Sequence, residues 1–335
     1  MTYIQATELP YLSHVPNDGR SIPISPYYDA DAQRFYLCGS LPDGRILVIP
    51  LIDYFEATYL AKRPARDIDS RLPFSETVIQ HFSFKEVVSA LADAEQDLIN
   101  GLASLHKYFV ILEYAGANND LSYSPMMKTE IEYAFANHRA FYDCLHQIVC
   151  VVHKRYQPKS SPLSDSFAKV VESKTKDDLA KKFLFPQPLI DFYTARKDVF
   201  LKMRYIRDNI FHHGHSPDLI FRFPDGLAIR VDDKLVTSLG DINLWPDNLL
   251  KPNGLGSVLV ILEFLVRDMF DAMEQLGNAF INCFQDPPQA VAMGYQVFLR
   301  SSVSKHLISL DEYKQKHWID PKAALEVART TENNA

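Results

Sequence analysis

Residues 207–215 read Arg-Asp-Asn-Ile-Phe-His-His-Gly-His, and they combine groups that can bind phosphate and transfer protons. The guanidinium of Arg207 can bind two phosphate oxygens at once. The imidazoles of His212 and His213 can accept or donate a proton near neutral pH. We therefore interpret Arg207, His212 and His213 as candidate catalytic residues and the intervening Asp208 and Asn209 as candidate substrate-binding residues.

Cleavage of a phosphodiester by an internal 2′-hydroxyl has three requirements. One group takes the proton from the hydroxyl, a second protonates the leaving 5′-oxygen, and a cation binds the non-bridging oxygens. Arg207 can supply the cation, and a histidine can supply either proton transfer. A single chain with one arginine and one histidine at the site has few groups for these three tasks.

The candidate site lies at the end of the third of four long predicted helices. Apolar residues at spacings of three and four predict these helices over about 84–114, 128–156, 188–211 and 254–284. Gly214 is a typical stop signal at a helix C-terminus, so the histidines fall where the third helix ends. The Lys-rich segment before this helix predicts a short helix, and another is predicted near 310–317.

Two Pro-Asp-Gly sequences predict β-hairpins, because proline presets φ and glycine tolerates a positive φ. The first, at 42–44, lies between apolar strands at 35–38 and 46–49. The second, at 224–226, lies between strands at 219–223 and 227–231.

These patterns together predict a mainly α protein, a helical bundle of four to five long helices with two small β-hairpins. We expect an N-terminal segment with a hairpin at 1–75. A bundle at 76–286 would contain the second hairpin as an insertion at 218–237. A C-terminal tail with a short helix would follow at 287–335.

The chain has 335 residues and a formal net charge of −7, but its basic residues are unevenly distributed. Residues 154–182 contain eight basic and four acidic residues, and residues 191–215 contain five and three. A basic region in an otherwise acidic protein is typical of local binding to a phosphate-bearing ligand. Lys181 and Lys182 are therefore candidate substrate-binding residues; the alternative is that these lysines only keep a surface loop soluble.

An arginine followed after four to six residues by a histidine, at the end of the penultimate long helix of a bundle, resembles the HEPN superfamily (higher eukaryote and prokaryote nucleotide-binding domains). Four residues separate Arg207 from His212, five separate it from His213, and Gly214 follows directly. Asp208 stands where family members frequently have Asn. The resemblance covers about residues 84–284, and the second hairpin departs from the simplest members.

The spacing alone has little weight, because it recurs elsewhere by chance. Arg139 with His146 and Arg300 with His306 also match it. The first pair lies within a predicted helix, and the second follows no long amphipathic helix. Only Arg207 combines the spacing with the helix end.

The resemblance implies a metal-independent endoribonuclease, acting as a toxin or defence effector, with its Arg/His site assembled across a homodimer. It implies RNA as substrate, an antitoxin or regulatory protein as a further partner, and no cofactor. The alternative is a non-catalytic helical module that binds RNA, a nucleotide or a protein partner.

Two other interpretations of the histidine cluster stay open. Histidines at a helix C-terminus interact favourably with the last carbonyls, so the cluster can be a helix end without a catalytic role. A metal site built from His212, His213, His215 and Asp218 is less favoured, because neighbouring histidines on one loop rarely converge on one ion.

Further polar and aromatic residues can support the site. Glu130, Glu132, Arg139 and Asp143 lie on a polar side of the second helix and can orient Arg207, although such residues are more often solvated. Tyr193, Tyr205 and Asn209 can contact a base, although aromatic residues at helical spacing are more often core.

The sequence disfavours several other classes of protein. It contains no P-loop, dinucleotide-binding or nucleophile-elbow motif, and its four cysteines lack metal-ligand or disulfide spacing. The first residues lack a basic and then apolar pattern, and no apolar run is long enough to span a membrane. We therefore expect a cytoplasmic protein without membrane contact.

Overall fold

The computed structural model describes residues 1–300 except 17, 53–56, 119–120, 165, 214–216, 218, 231–243, 246–249, 252 and 285–289. The side chains of Ser173 and His213 are also outside the description. The chain divides into two compact units. Unit 1 contains Met1–Ile99, Ala140–Asp198 and the described residues from Met269 onward, and unit 2 contains Asn100–Arg139 and Val199–Asp268.

The four long helices predicted from the apolar periodicity are confirmed, and each contributes one part to each unit. Two short helices occupy the Lys-rich segment. The helix predicted near 310–317 lies outside the described residues. The described helices are α1 (Pro73–His81), α2 (Lys85–Ala117), α3 (Tyr123–Tyr156), α4 (Phe167–Ser173), α5 (Lys176–Lys181), α6 (Gln187–His213) and α7 (Val258–Cys283), with a 3₁₀ turn at Ala6–Glu8.

Unit 1 contains a seven-stranded mixed sheet in the order β1-β4-β3-β2-β5-β10-β6. The β2 and β5 pair is parallel, and the other neighbours are antiparallel. Its strands are β1 (Thr2–Ile4), β2 (Tyr27–Asp29), β3 (Arg34–Ser40), β4 (Ile46–Leu51), β5 (Ala57–Ala61), β6 (Ser70–Arg71) and β10 (Gln296–Arg300).

The first predicted hairpin is confirmed as β3 and β4, which pair antiparallel. The Leu41 N–H donates to the Arg45 carbonyl at 2.9 Å and closes the turn. Gly44 has a φ of +83°, in the left-handed region that glycine adopts without strain. The Pro-Asp-Gly sequence therefore predicted this turn correctly, because it determines a local backbone geometry.

The last of the described strands in chain order, β10, joins β6 to the rest of the sheet. In β10, Val297, Phe298 and Leu299 are all buried, as expected for a strand covered on both faces. Phe298 packs in a cluster with Phe35 and Tyr59, and its ring centroid is 5.7 Å from that of Tyr59. Two distant segments of the sequence thus share one core.

Unit 2 contains a three-stranded sheet of β7 (Phe221–Phe223), β8 (Gly226–Arg230) and β9 (Leu255–Ser257). The second predicted hairpin is confirmed as β7 and β8, and β9 adds a strand that was not predicted. Two contacts attach this sheet to α2. Arg222 donates to the Ala115 carbonyl, and the Leu227 N–H donates to the Tyr108 hydroxyl oxygen at 3.0 Å.

The predicted fold class, a helical bundle with two small hairpins, is wrong. The chain is about 54% helical with 17% strand, and its seven-stranded and three-stranded sheets make it an α/β protein. Most of the missed strands have two to five residues, too short for alternation to be read from the sequence. The pairing of β10 with β5 and β6 is also non-local, so no turn sequence predicts it.

Gly226 offers a test of how unit 2 is packed. Its φ is +151°, and a Cβ at this position would lie 2.6 Å from the Tyr108 hydroxyl oxygen. We expect Gly226→Ala to lower the free energy of unfolding by about 1–3 kcal/mol, because the backbone is strained and the hydroxyl must move. Urea denaturation followed by circular dichroism measures the change.

Gly116→Ala is the matched control, because Gly116 lies in α2 with nothing within 4 Å of the added Cβ. This substitution should leave stability unchanged or raise it by up to about 1 kcal/mol, since alanine favours helix. Equal losses in the two variants would contradict the packing described for Gly226.

Candidate functional site

The candidate site lies on the unit 2 part of α6. Phe200, Met203, Ile206 and Ile210 are buried at spacings of three and four, and they fix which side of the helix faces the core. The described part of α6 runs to His213, and the stop predicted at Gly214 lies outside the described residues.

Arg207 and Asp208 form an ion pair on this helix. The Arg207 Nη1 donates to the Asp208 Oδ1 at 2.7 Å, and the Arg204 Nε lies 3.4 Å from Oδ2 of the same carboxylate. The three side chains are between 24% and 34% exposed. The ion pair can therefore contact a ligand from its position on α6.

A third arginine belongs to the same cluster. Partial burial raises the pKa of the Asp208 carboxyl, but the hydrogen bond and charge of Arg207, with the charges of Arg204 and Arg139, hold it below its usual value. The charges of three guanidinium groups thus act on one carboxylate. We call Arg139, Arg204, Arg207 and Asp208 the arginine cluster.

Arg207 is held from more than one side. Its guanidinium carbon lies 5.1 Å from the centroid of the Phe211 ring, and that ring is 49% exposed. The Arg207 Nε is buried and makes no hydrogen bond within the described part of the chain. The cation is therefore ordered before any ligand arrives, which lowers the entropic cost of binding an anion.

His212 lies on a different side of α6 from Arg207. Five residues correspond to about 140° around a helix, so the two side chains diverge within one chain. His212 is exposed and shares a stripe with Asn209 and Tyr205, which is 60% exposed. The Asn209 amide donates to the Tyr205 carbonyl at 2.8 Å. One chain therefore does not bring Arg207 and His212 together.

No family model, no curated protein and no solved structure matches this chain. The HEPN resemblance therefore stays a prediction.

The metal alternative involves residues that the structure does not describe. His215, Asp218 and the side chain of His213 lie outside the description. Elsewhere in residues 1–300, the described side chains include no group of three or more His, Cys, Asp or Glu placed to hold a metal ion. Among the described helices, none combines the length and apolar character that crossing a membrane requires.

Lys181 and Lys182, predicted as substrate-binding, belong to unit 1, whereas the arginine cluster belongs to unit 2. Lys181 is 77% exposed and pairs with Asp177 at 2.7 Å. The Lys182 ammonium lies 5.5 Å from the ring centroid of Phe183. The structure thus does not add either lysine to the arginine cluster.

Three of the residues predicted to orient Arg207 make different interactions. Arg139 contributes its charge to the arginine cluster. Glu130 accepts from Lys107 at 2.9 Å. Asp143 accepts the Phe167 N–H at 3.0 Å at the start of α4.

Sequence reasoning missed two residues of unit 2 whose side chains contact a carboxylate. Arg204 carries a local signal, since it lies four residues before Asp208 on one helix face. The other is His138, whose Nε2 lies 2.8 Å from the Asp268 Oδ2 in a buried pair that joins α3 and α7. A separation of 130 residues hides this pair from the sequence.

A cysteine and histidine pair in unit 1 resembles a nucleophile with its base, but its hydrogen bonds oppose that role. The Ser164 carbonyl can only accept, so the His146 Nε2 at 2.6 Å carries the proton. The His146 Nδ1 then accepts from the Tyr193 hydroxyl at 2.6 Å, and burial keeps the pKa of Tyr193 well above its usual value. Cys150 lies 3.3 Å from the protonated Nε2, which cannot take a proton from its thiol.

The same contacts prevent Tyr193 from stacking on a nucleobase, because its ring is buried and its hydroxyl is bonded to His146. Among the predicted base-contacting residues, Tyr205 keeps an exposed ring.

Asp208→Asn tests the electrostatics of the arginine cluster. The folded-state pKa of Asp208 lies below its unfolded value of about 3.9, so its contribution is complete above that value and disappears as the pH falls through the folded-state pKa. At about pH 7 the variant should lose less than about 1 kcal/mol, since the pair is partly exposed and screened. As the pH falls below the unfolded-state value the loss should shrink, because the wild-type carboxyl is then increasingly protonated.

Urea denaturation of both proteins at neutral and acidic pH measures this difference. Asp198→Asn is the control, because Asp198 is exposed on the same helix and makes no ion pair with any described residue. A difference between wild type and Asp208→Asn that stays constant down to the acidic pH would contradict the predicted linkage.

Proposed function

We propose that this protein binds the phosphate backbone of RNA at the arginine cluster and cleaves the RNA without a metal ion. The observation that carries the proposal is the contact of Arg207 and Arg204 with Asp208, with the charge of Arg139 acting on the same carboxylate, on a helix that also exposes His212. Guanidinium groups bind phosphate oxygens bidentately.

The reaction follows from what RNA itself supplies. The 2′-hydroxyl loses its proton to a base, its oxygen forms a bond to phosphorus, and the bond from phosphorus to the 5′-oxygen breaks. An acid then protonates the leaving 5′-oxygen, so the products are a 2′,3′-cyclic phosphate and a 5′-hydroxyl. Arg207 would stabilise the charge on the non-bridging oxygens, and His212 would perform one of the two proton transfers.

A second copy of the chain would complete the site. Within one chain, His212 points about 140° away from Arg207, so one helix does not present both groups to one phosphate. A two-fold axis would bring the His212 of one copy towards the Arg207 of the other and would generate two equivalent sites. The HEPN resemblance implies the same arrangement.

The divergence of Arg207 and His212 also favours a second candidate function. If the chain acts as a single copy, the arginine cluster can bind an RNA phosphate while no imidazole reaches the reacting oxygens. The protein would then be a non-catalytic RNA-binding module, and its activity would depend on a partner protein.

Cleavage of a labelled single-stranded RNA in EDTA tests the catalytic proposal. We expect wild type to produce fragments ending in a 2′,3′-cyclic phosphate. Arg207→Ala and His212→Ala should each lower the rate at least about a hundredfold, the usual contribution of a transition-state cation or a general acid or base.

Arg45→Ala and His14→Ala are matched controls. Arg45 forms a comparable ion pair with Asp43 in the first hairpin, and His14 is exposed in unit 1. Both controls should cleave at the wild-type rate. Absence of cleavage by wild type, with salt-dependent RNA binding that Arg207→Ala weakens, would favour the non-catalytic module.

Mixing the two inactive variants tests the shared site. If each site takes Arg207 from one copy and His212 from the other, a mixed dimer of Arg207→Ala and His212→Ala has one intact site. Random exchange should then restore roughly a quarter of the wild-type rate. No recovery after proven subunit exchange would show that the two residues do not act across copies.

A further inference from the structure

A small cavity in unit 1 lies among α4, the start of α5 and the middle of α6. Its volume is about 150 Å³. Three lysines line it, Lys174 and Lys176 from the segment at the start of α5 and Lys197 from α6. None of the described residues that line the cavity has an acidic side chain.

The three lysines differ from the neighbouring basic residues because their charges are not neutralised at close range. Lys181, on the same short helix as Lys176, pairs with Asp177. Lys174, Lys176 and Lys197 make no ion pair with any residue that the structure describes. The carboxylate of Asp178 lies close enough to Lys174 for the charge of that lysine to lower its pKa.

Asp178 is engaged elsewhere. Its Oδ2 accepts the Thr175 N–H at 3.0 Å and the Thr175 hydroxyl at 2.8 Å. These hydrogen bonds, ahead of the charges of Lys174 and Lys182, hold the pKa of Asp178 below its usual value. The carboxylate therefore caps α5 and does not enter the cavity wall.

Among the described side chains that line the cavity, the lysines are the hydrogen-bond donors that a ligand can use. The Thr175 hydroxyl donates to Asp178, and the Thr194 hydroxyl donates to the Ile190 carbonyl at 2.8 Å. Each hydroxyl has one proton, so neither can donate to a ligand. Each lysine ammonium has three N–H groups, and these suit an anion with several oxygens.

The floor of the cavity is fixed by packing. The Tyr193 ring is buried and stacks on Phe167 at 5.1 Å and on Phe185 at 5.5 Å between centroids. Its hydroxyl is bonded to His146. An anion in the cavity would thus meet mobile cations above a rigid apolar base, where a charge interaction is screened less than in open water.

We propose that this cavity binds a phosphate group, supplied either by an RNA strand or by a free nucleotide. Its volume is below the roughly 300–1,000 Å³ of pockets that enclose a whole small molecule, so it accommodates the phosphate and leaves the rest of the ligand outside. Lys174, Lys176 and Lys197 bind the phosphate oxygens. This site is independent of the arginine cluster, because it lies in unit 1 and uses none of the same residues.

Isothermal titration calorimetry of the full chain with three probes tests the proposal: inorganic phosphate, adenosine monophosphate and a short single-stranded RNA. Lys176→Gln/Lys197→Gln should weaken binding of at least one probe about tenfold or more, the effect of losing two charge-assisted contacts. Lys85→Gln is the control and should change the affinity less than about twofold, because Lys85 is exposed in unit 1 and lies outside the cavity.

Lys176→Arg/Lys197→Arg keeps both charges and should bind within a few-fold of wild type, while a thermal melt verifies that each variant is folded. A lysine-dependent response to phosphate or adenosine monophosphate identifies a free anion as ligand, and a response to RNA alone identifies the strand. Binding of no probe by wild type, or equal weakening in the Lys85→Gln control, would overturn the proposal.

The same titrations on Arg207→Ala separate this site from the proposed function. We expect phosphate binding at the cavity to persist in that variant, even where cleavage is lost. If cleavage proves absent from wild type while the lysine-dependent binding is present, only the function proposed for the arginine cluster fails.

Discussion

Burial of one apolar stripe on α6 constrains the whole candidate site. Because Phe200, Met203, Ile206 and Ile210 face the core, the helix cannot rotate without exposing them to water. Each residue advances by about 100° around the axis, so this burial also fixes the directions of Arg207 and His212. The angle between the two groups is therefore a property of the core, and substitutions at the surface do not change it.

The arginine cluster couples ligand binding to folding. The charges of its three guanidinium groups act together on Asp208 only when the chain is folded. An anion that binds these groups in the folded state alone would therefore stabilise the fold as well as occupy the site.

Sequence reasoning succeeded where the structure is local and failed where it is not. The long helices follow from an apolar periodicity, and both hairpins follow from a Pro-Asp-Gly turn, so residues close together in the sequence determine them. The contact of Arg207 with Asp208 is local in the same sense. By contrast, β10 and the His138–Asp268 pair join segments far apart in the chain, and neither has a pattern of its own. The lysine cavity was visible only as a basic region, because concavity depends on how α4 and α6 pack.

The position of β10 has a consequence for synthesis on the ribosome. Its partners β5 and β6 emerge early, but residues 296–300 follow more than two hundred residues later. At typical elongation rates this delay lasts roughly 10–50 s, during which β6 and the edge of β5 that pairs with β10 have no native partner. Unpaired strand edges template association with other chains. These edges would therefore stay open to such association until residues 296–300 have been made.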